Sequence, residues 1–338
     1  MERTKERSSF RKKFIGDRKF YMMVLAVAVP IMIQNGITNF VSLLDNIMIG
    51  RIGTEQMSGA SIVNQLIFVY NLCIFGGVSG AGIFTAQYFG QKDHEGVRQT
   101  FRYKFWMAVI LTIGTILLFL TVGENLISMY LQGEGTAQQI ADTLKDGKQY
   151  LDIMLLGLPP FMMVQIYSST LRECGETVLP MKAGVVAICV NLLFNYLLIY
   201  GVFFFPRLGV RGAAIATVIG NIVSVIYFLI YFLRGKSILS ISPKRFAMGH
   251  GITKGVIGVG LPAAINSLLM SISNIIVNVV LIKYGDSAVA AMGIAMKANM
   301  LVVMLQIGLG QGVQPLVGYC YGAQNYKRMR KCLRFSII

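Results

Sequence analysis

The 338-residue chain is 55% hydrophobic and only 14% charged, and its mean hydropathy of +0.63 excludes an ordinary soluble domain. Its net charge of +16 does not indicate a nucleic-acid partner, because the basic residues lie in short clusters between apolar segments. Several segments contain about 20 apolar residues, which is the length that a helix needs to span a membrane. We therefore expect an all-α polytopic membrane protein.

Eight spanning helices are predicted after a basic tail at residues 1–19, with a ninth, amphipathic and basic helix beginning at Lys327. A polar loop with Glu134, Asp142 and Asp146 is predicted before the fourth span. The five cysteines fall in spans or at their predicted ends, so we expect free thiols. The spans are expected at about 20–49, 55–89, 97–131, 148–171, 179–204, 211–233, 252–283 and 287–321.

One face of the first span is polar. At about 100° per residue, Asp45 falls on the same side of the helix as several amides and hydroxyls. An ionised carboxylate at mid-bilayer costs about 2.5–3.5 kcal/mol, so Asp45 should face a bundle interior or a wet cavity. An ion-coupled transporter needs such an acid, and a structural Asp hydrogen-bonded between helices is the alternative. The polar face comprises Gln34, Asn35, Thr38, Asn39, Ser42, Asp45 and Asn46.

Lysine and arginine are distributed unevenly between alternate connections. With the N-terminus inside, 24 of the 31 lie on the cytoplasmic side and six on the outer side, and Lys297 lies within the eighth span. This bias follows the positive-inside rule. We therefore expect a multi-pass protein of the plasma membrane, in contact with the lipid bilayer, monomeric, and with a cytoplasmic N-terminus.

The beginning of the chain aligns with its last part when the numbering is shifted by 262 − 30 = 232, which we call the repeat offset. Pro30 then meets Pro262, and both are predicted hinges, because proline removes a helix hydrogen bond. Six helices separate the copies, an even number, so two parallel six-helix repeats are expected. The second copy has only 106 residues (338 − 232), so we expect a chain truncated after its eighth helix. Further matches pair Gly53 with Gly285, Gly76 with Gly308, Gly80 with Gly312, Gly90 with Gly322, Arg98 with Arg330, and Arg102 with Arg334.

The repeat also predicts the domains. Helices 1–6 form an N-lobe at 20–234, a cytoplasmic linker occupies 235–250, and an incomplete C-lobe occupies 251–338. The lobes differ in charge, because Val277 stands where the first copy has Asp45. Helix 7 still presents polar residues, among them Asn266 and Asn274. We therefore expect coupling chemistry in the N-lobe and a polar lining in both lobes.

Several residues are candidates for the lining of a substrate cavity. They are Gln34, Thr38, Ser42, Asn266, Asn274 and Lys297. Lys297 has an alternative interpretation as a snorkelling side chain or a partner of Gln306. The chain has no phosphate-binding glycine loop followed by Lys-Ser/Thr, so transport driven directly by ATP hydrolysis is not expected. It also lacks a hydrolytic constellation and a metal cluster around its two histidines, so neither an enzyme nor a metal site is expected, and no cofactor.

Several stretches together resemble the multidrug and toxic compound extrusion (MATE) family of ion-coupled exporters. They are P-x3-Q from Pro30 to Gln34, LLDNIMIGRIGTEQMSGAS at 43–61, AQYFGQKD at 86–93, VNLLFNYLLIYG at 190–201, GVRGAAIATVIGN at 209–221 and GLGQGVQPLVGYCYGA at 308–323. The resemblance covers residues 20–338 but only about two-thirds of the family's usual twelve helices. It implies export of organic, cationic drugs or metabolites by antiport with H⁺ or Na⁺, with alternating access between two lobes.

The resemblance also implies roles for individual residues. Asp45 matches the acidic residue of the first helix that binds the coupling cation or proton, and Pro30 matches the proline at which that helix bends. Asn191 and Asn195 match an amide and a second polar or acidic position of the same site, and Thr217 matches a hydroxyl ligand. Many members carry Asp where Asn195 stands, so the choice between Na⁺ and H⁺ at Asp45 stays open.

Two further alternatives remain. A lipid-linked-oligosaccharide flippase of the same superfamily would share the fold, and we expect its cavity to carry several cationic residues for phosphates. An inactive, truncated membrane protein would share the sequence motifs without transport.

Overall fold

The structure is a computed structural model. It describes residues 18–131, 136–202, 204–234, 255–260 and 286–337, together with 262, 265–266, 269–270, 273, 276–277 and 280. Predictions for residues 1–17, for the linker at 235–250 and for Asn274 lie outside this described part. All regular secondary structure in the described part is helical, which confirms the predicted all-α class.

Eight helices have defined bounds, and most begin and end within a few residues of their predicted limits. They are α1 Arg18–Gly50, α2 Thr54–Gly90, α3 His94–Tyr130, α4 Ala137–Glu173, α5 Val178–Tyr200, α6 Val210–Leu233, α8 Asp286–Gly322 and α9 Tyr326–Ile337. The described residues between 255 and 280 are also helical and are called α7. Helix α1 continues without interruption through Pro30.

Helix α4 begins earlier than predicted, at Ala137 instead of about 148. A capping box starts it, in which the Gln139 N–H donates to Thr136 Oγ1 and the Thr136 N–H donates to Gln139 Oε1. Asp142 and Asp146 therefore lie in helical turns, and the predicted polar loop around them is wrong. Hydropathy marks only the apolar part of a helix, so it missed these first polar turns.

Six of the described helices are long and apolar enough to cross a membrane. The qualifying segments are Val24–Val41, Glu55–Gly90, His94–Tyr130, Ala137–Glu173, Val178–Tyr200 and Val210–Leu233. In the interior, α2 packs against α3, α4 and α8, while α6 packs against α4 and α5. Helix α1 lies between α5 and α8. The buried core joins Val63 and Ile74 of α2 to Leu158 and Ile166 of α4.

Close contacts between the two copies follow the repeat offset. A Cβ at Gly80 would lie 2.6 Å from Gly260 Cα, and its counterpart at Gly312 would lie 2.9 Å from Ala28 Cα. Small residues permit this close approach of helix backbones. In the same way, Gly90 contacts the Tyr319 carbonyl oxygen, and Gly322 contacts the Gln87 carbonyl oxygen. Each contact thus recurs at the repeat offset with its partners exchanged, which is the signature of a two-fold axis.

The axis passes between Ala86 and Gly318, which are themselves separated by the repeat offset. A Cβ at Gly318 would lie 2.7 Å from the Ala86 Cβ. Helix α8 runs antiparallel to α1, because Gly312 lies against Ala28 and Gly308 lies against Met32. Since consecutive spans α1 and α2 cross in opposite directions, α2 and α8 run in the same direction. The predicted parallel repeat is therefore confirmed for the first two helices of each copy.

The turns after α2 and α8 also repeat. Lys92 and Gln324, which are equivalent positions of the two copies, both have positive φ, 61° and 55°. Asp93 Oδ1 then accepts from the Gly96 N–H at 3.0 Å, and Asn325 Oδ1 accepts from the Arg328 N–H at 3.2 Å. Both side chains cap the following helix. The repeat therefore includes backbone conformation as well as helix packing.

Candidate functional site

Side chains from α1, α5 and α6 form a continuous chain of hydrogen bonds. The Asn195 amide donates to Asp45 Oδ1 at 2.5 Å and to Asn191 Oδ1 at 3.1 Å. The Asn191 amide donates to Thr217 Oγ1 at 3.3 Å, and the Thr217 hydroxyl donates to the Ala213 carbonyl oxygen at 3.1 Å. The structure thus brings together Asp45, Asn191, Asn195 and Thr217, the four residues that the resemblance to the MATE family implies for one site.

Helix geometry explains why these side chains meet. Asn191 and Asn195 are four residues apart on α5, so they stand on one face of that helix. Gly220 of α6 packs against α5, where a Cβ would lie 3.0 Å from the Ala187 carbonyl oxygen and 3.3 Å from Asn191 Cβ. This close packing brings Thr217, one turn earlier on α6, within hydrogen-bond distance of Asn191.

One acceptor in this series of hydrogen bonds has no partner. Asn195 is fully buried, and its Oδ1 makes no hydrogen bond to the described residues. A buried polar atom without a partner usually marks strain, function or a bound water or ion. The site offers carboxylate, amide and hydroxyl oxygens within a few ångströms, a donor set suited to a proton or to a hard cation such as Na⁺.

Asp45 also opens onto a cavity of about 520 Å³. Polar lining comes from Thr38, Ser61, Asn64, Asn71, Tyr150, Thr217 and Asn221, and apolar lining includes Phe68, Met154 and Phe161. The Tyr150 hydroxyl donates to Asn64 Oδ1 at 3.3 Å. Among the described residues around this cavity, Asp45 is the one charged group. The cavity is large enough for an organic molecule and carries negative charge.

The other predicted lining residues lie in different surroundings. Thr38 lines the cavity, and its hydroxyl donates to the Gln34 carbonyl oxygen at 2.8 Å. Gln34 faces α5 at Gly184. Asn266 and Pro262 are exposed. The side chains of Ser42 and Lys297 lie outside the described part.

A second polar cluster was not predicted. Lys104 is completely buried, and its ammonium group donates to Glu173, Ser169 and Thr170. Arg172 lies beside this pair. The charge distribution in the sequence assigns Lys104 and Arg172 to the cytoplasmic connections and predicts Lys297 as the sole basic residue deep in a span. That interpretation is wrong, because Lys104 and Glu173 neutralise each other inside the bundle.

The sequence profile of the MatE family matches residues 30–197 and 262–338, most of the chain. The chain belongs to the MatE family. This confirms the resemblance drawn from the motifs, and it places the chain in a family of transporters and not of enzymes.

Curated relatives of this MatE chain include two bacterial proteins. The multidrug export protein MepA of Staphylococcus saprophyticus is 28% identical over 314 residues, which cover 92% of the chain and 66% of MepA. The probable multidrug resistance protein YoeA of Bacillus subtilis is 26% identical over 317 residues, which cover 91% of the chain and 66% of YoeA. The chain therefore spans just under two thirds of their length.

Solved structures show that the chain has the MATE fold. A MATE transporter in its bent conformation matches with a TM-score of 0.84 at 22% identity, over 93% of the chain and 68% of the transporter. A transporter of the MOP superfamily from Pyrococcus furiosus matches with a TM-score of 0.83 at 22% identity, over the same shares. At this identity the likeness concerns the fold alone.

Proposed function

We propose that this MatE chain forms the N-lobe and part of the C-lobe of a secondary active efflux transporter. It exports organic cations, such as drugs or metabolites, by antiport with H⁺ or Na⁺. The observation that carries the proposal is the hydrogen-bonded set of Asp45, Asn195, Asn191 and Thr217 at the wall of a 520 Å³ cavity. The names of the curated relatives support multidrug export.

The charge of the cavity supports a cationic substrate. Among the described residues its lining has one carboxylate, Asp45, and no lysine or arginine. A flippase for lipid-linked oligosaccharides would need cations there for its phosphates. An organic cation instead gains from the Asp45 carboxylate and from aromatic contacts with Phe68 and Phe161. The charge pattern therefore favours export of cations over the flippase alternative.

In this mechanism, Asp45 holds either the coupling ion or the substrate, but not both. A proton or Na⁺ at Asp45 neutralises the carboxylate and removes the attraction for a cationic substrate. Loss of the ion restores that attraction. Alternation between the two states follows when each ligand stabilises a different arrangement of the lobes, because a ligand shifts an equilibrium only by its differential affinity.

The predicted architecture completes the proposal. The N-lobe at 20–234 and the incomplete C-lobe at 251–338 rock about the axis between α2 and α8, with Pro30 and Pro262 as hinges. Lys297, Ser42, Gln34, Asn266 and Asn274 contribute to the polar lining. The protein is a monomer in the plasma membrane with a cytoplasmic N-terminus.

The test is substitution of Asp45 by Asn in the longest natural form of the protein. Asp45→Asn keeps the size of the side chain but removes the charge that exchanges an ion for a cation. We expect uphill export of ethidium from energised vesicles to be abolished under imposed pH and Na⁺ gradients alike. Insertion and thermal stability should be retained.

The matched control is Asp142→Asn, which neutralises an exposed acid at the beginning of α4. Its export should equal that of the wild-type protein at equal expression. Uphill export at the wild-type rate by the Asp45→Asn protein would show that Asp45 is structural and that the coupling mechanism is wrong.

A further inference from the structure

The second polar cluster carries one positive charge that no described carboxylate balances. Lys104 and Glu173 are in direct contact, and their side chains are 0% and 11% exposed. The pair is neutral whether the proton stays on Lys104 or moves to Glu173. Arg172 cannot lose its proton in a protein. The cluster therefore keeps a net charge of about +1 in either state of the pair.

The Arg172 guanidinium donates hydrogen bonds to two neutral acceptors. Its Nε donates to the Ser168 carbonyl oxygen at 3.2 Å, and its Nη1 donates to Gln311 Oε1 at 3.5 Å. Among the described residues, no carboxylate forms a salt bridge with its guanidinium. A partly buried charge is costly unless it is paired, so this position favours a counter-ion.

A small cavity lies against this guanidinium. It measures about 80 Å³, and its polar lining includes Gln165, Ser169 and Glu173 of α4, Asn71 and Ser79 of α2, and Gln311 and Gln314 of α8. The Glu173 carboxylate is neutralised by its contact with Lys104, so it does not cancel the charge of Arg172. Amide and hydroxyl groups of this kind donate hydrogen bonds to an anion. Asn71 Oδ1 is buried without a partner, and a water bridging it to an anion would satisfy it. The volume suffices for one small anion and a water molecule.

The small cavity adjoins the larger one. Asn71 lines both cavities. On α4, Phe161 of the large cavity is followed at intervals of four by Gln165 and Ser169 of the small one, so the three lie along one helix face. An elongated molecule that occupies the large cavity can therefore extend one end toward Arg172.

We propose that the cavity at Arg172 binds a small monovalent anionic group. That group is either a free anion of the size of chloride or the carboxylate at one end of a substrate. The proposal rests on the proposed function only where it names a substrate group, because binding of the free anion needs no transport.

Binding is tested with the purified full chain in detergent. Chloride or acetate replaces gluconate at constant Na⁺ and ionic strength, since gluconate is too large for the 80 Å³ cavity. We expect saturable thermal stabilisation by both small anions, because a ligand that binds only the folded state stabilises it. Arg172→Gln should raise the apparent Kd for chloride about tenfold or more, the effect of losing one charge-assisted hydrogen bond.

The matched control is Arg211→Gln. Arg211 is also hydrogen-bonded to a glutamine side chain, Gln149 Oε1, at 2.6 Å, but it is exposed at the beginning of α6. Its chloride response should equal that of the wild-type protein. If Arg172→Gln does not fold, Gln165→Met serves instead, because it keeps the volume of the side chain but removes its amide donor, and the affinity for radiolabelled chloride should fall about tenfold. A stabilisation that is not saturable, or that Arg172→Gln and Gln165→Met leave unchanged, overturns the proposal.

Two dyes distinguish the sources of the anionic group. Rhodamine 110 carries a free carboxylic acid, and rhodamine 123 is its methyl ester. If chloride competes with the binding of rhodamine 110 but not with that of rhodamine 123, the site binds the carboxylate of a substrate. Chloride that binds but competes with neither assigns it to a free anion. Absence of dye export by the longest natural form of the protein, with intact chloride binding, would overturn the proposed function alone.

Discussion

Asn195 holds the candidate site together with a single amide group. Its nitrogen donates to both Asp45 and Asn191, so it fixes the orientation of a carboxylate from α1 relative to α5. The spacing of Asn191 and Asn195 made their common face predictable from the sequence. Which atom donates, and that Asn195 Oδ1 is left without a partner, depends on the packing of three helices and was not predictable.

The contribution of the Lys104 and Glu173 ion pair to stability can be compared with that of an exposed ion pair in the same protein. Removing one member of a buried pair leaves the other charge unpaired and costs about 3–5 kcal/mol. We therefore expect Glu173→Leu, which leaves the buried Lys104 beside Arg172 without a carboxylate, to lower the free energy of unfolding by about that amount, whereas Glu173→Leu with Lys104→Met recovers most of the loss. The measurement is unfolding by SDS titration in mixed micelles.

The control pair is Lys148 and Glu124, whose side chains are 51% and 54% exposed. Exposed pairs contribute about 0–1 kcal/mol, so Lys148→Met should have little effect. Equal losses for Glu173→Leu and Lys148→Met would mean that burial does not determine the strength of the inner pair.

At the scale of elements, the sequence predicted helices better than helix ends. The apolar length of each span and the internal repeat were sufficient to place α2 and α8, which have the same length and lie at the repeat offset. The beginning of α4 was misplaced because its first turns are polar, and Lys104 and Arg172 were assigned to the connections although they lie within α3 and α4. Hydropathy adds residues one by one, so it does not register two charges that cancel across a helix contact.

The crossing of α2 and α8 gives a prediction about a single glycine. Gly322 contacts the Gln87 carbonyl oxygen so closely that a Cβ has no room, because neither backbone can move alone. Gly322→Ala should therefore destabilise the protein by about 1–3 kcal/mol, the usual cost of overpacking. The measurement is the midpoint of thermal unfolding in detergent.

Gly310 on the same helix provides the control. A Cβ there meets no atom within 4 Å. Gly310→Ala should keep or raise the midpoint, because alanine favours a helix by about 1 kcal/mol relative to glycine. If the two variants unfold at the same temperature, the contact between α2 and α8 is not closely packed in the membrane protein.

For the whole molecule, the backbone repeats but the chemistry does not. The glycine contacts and the turns at Lys92 and Gln324 recur at the repeat offset. Asp45, in contrast, corresponds to Val277, and Lys104 corresponds to Ser336. In the proposed transporter, the symmetric crossing of α2 and α8 provides the axis for rocking, and the first copy provides Asp45 and Arg172, the charged groups of the two proposed binding sites.

The orientation of the whole chain rests on charge and can be measured with single cysteines. In a variant whose five native cysteines are replaced by serine, Phe204→Cys and Gln91→Cys each place one thiol in an exposed connection without changing the number of basic residues. The positive-inside rule predicts that residue 204 faces outward and residue 91 faces the cytoplasm.

In intact cells, a membrane-impermeant maleimide should then label the Phe204→Cys protein and leave the Gln91→Cys protein unlabelled. After permeabilisation both should react to the same extent, which controls for thiol accessibility. Labelling of the Gln91→Cys protein in intact cells would reverse the orientation and place the crossing of Gly90 and Gly322 on the outer side of the membrane.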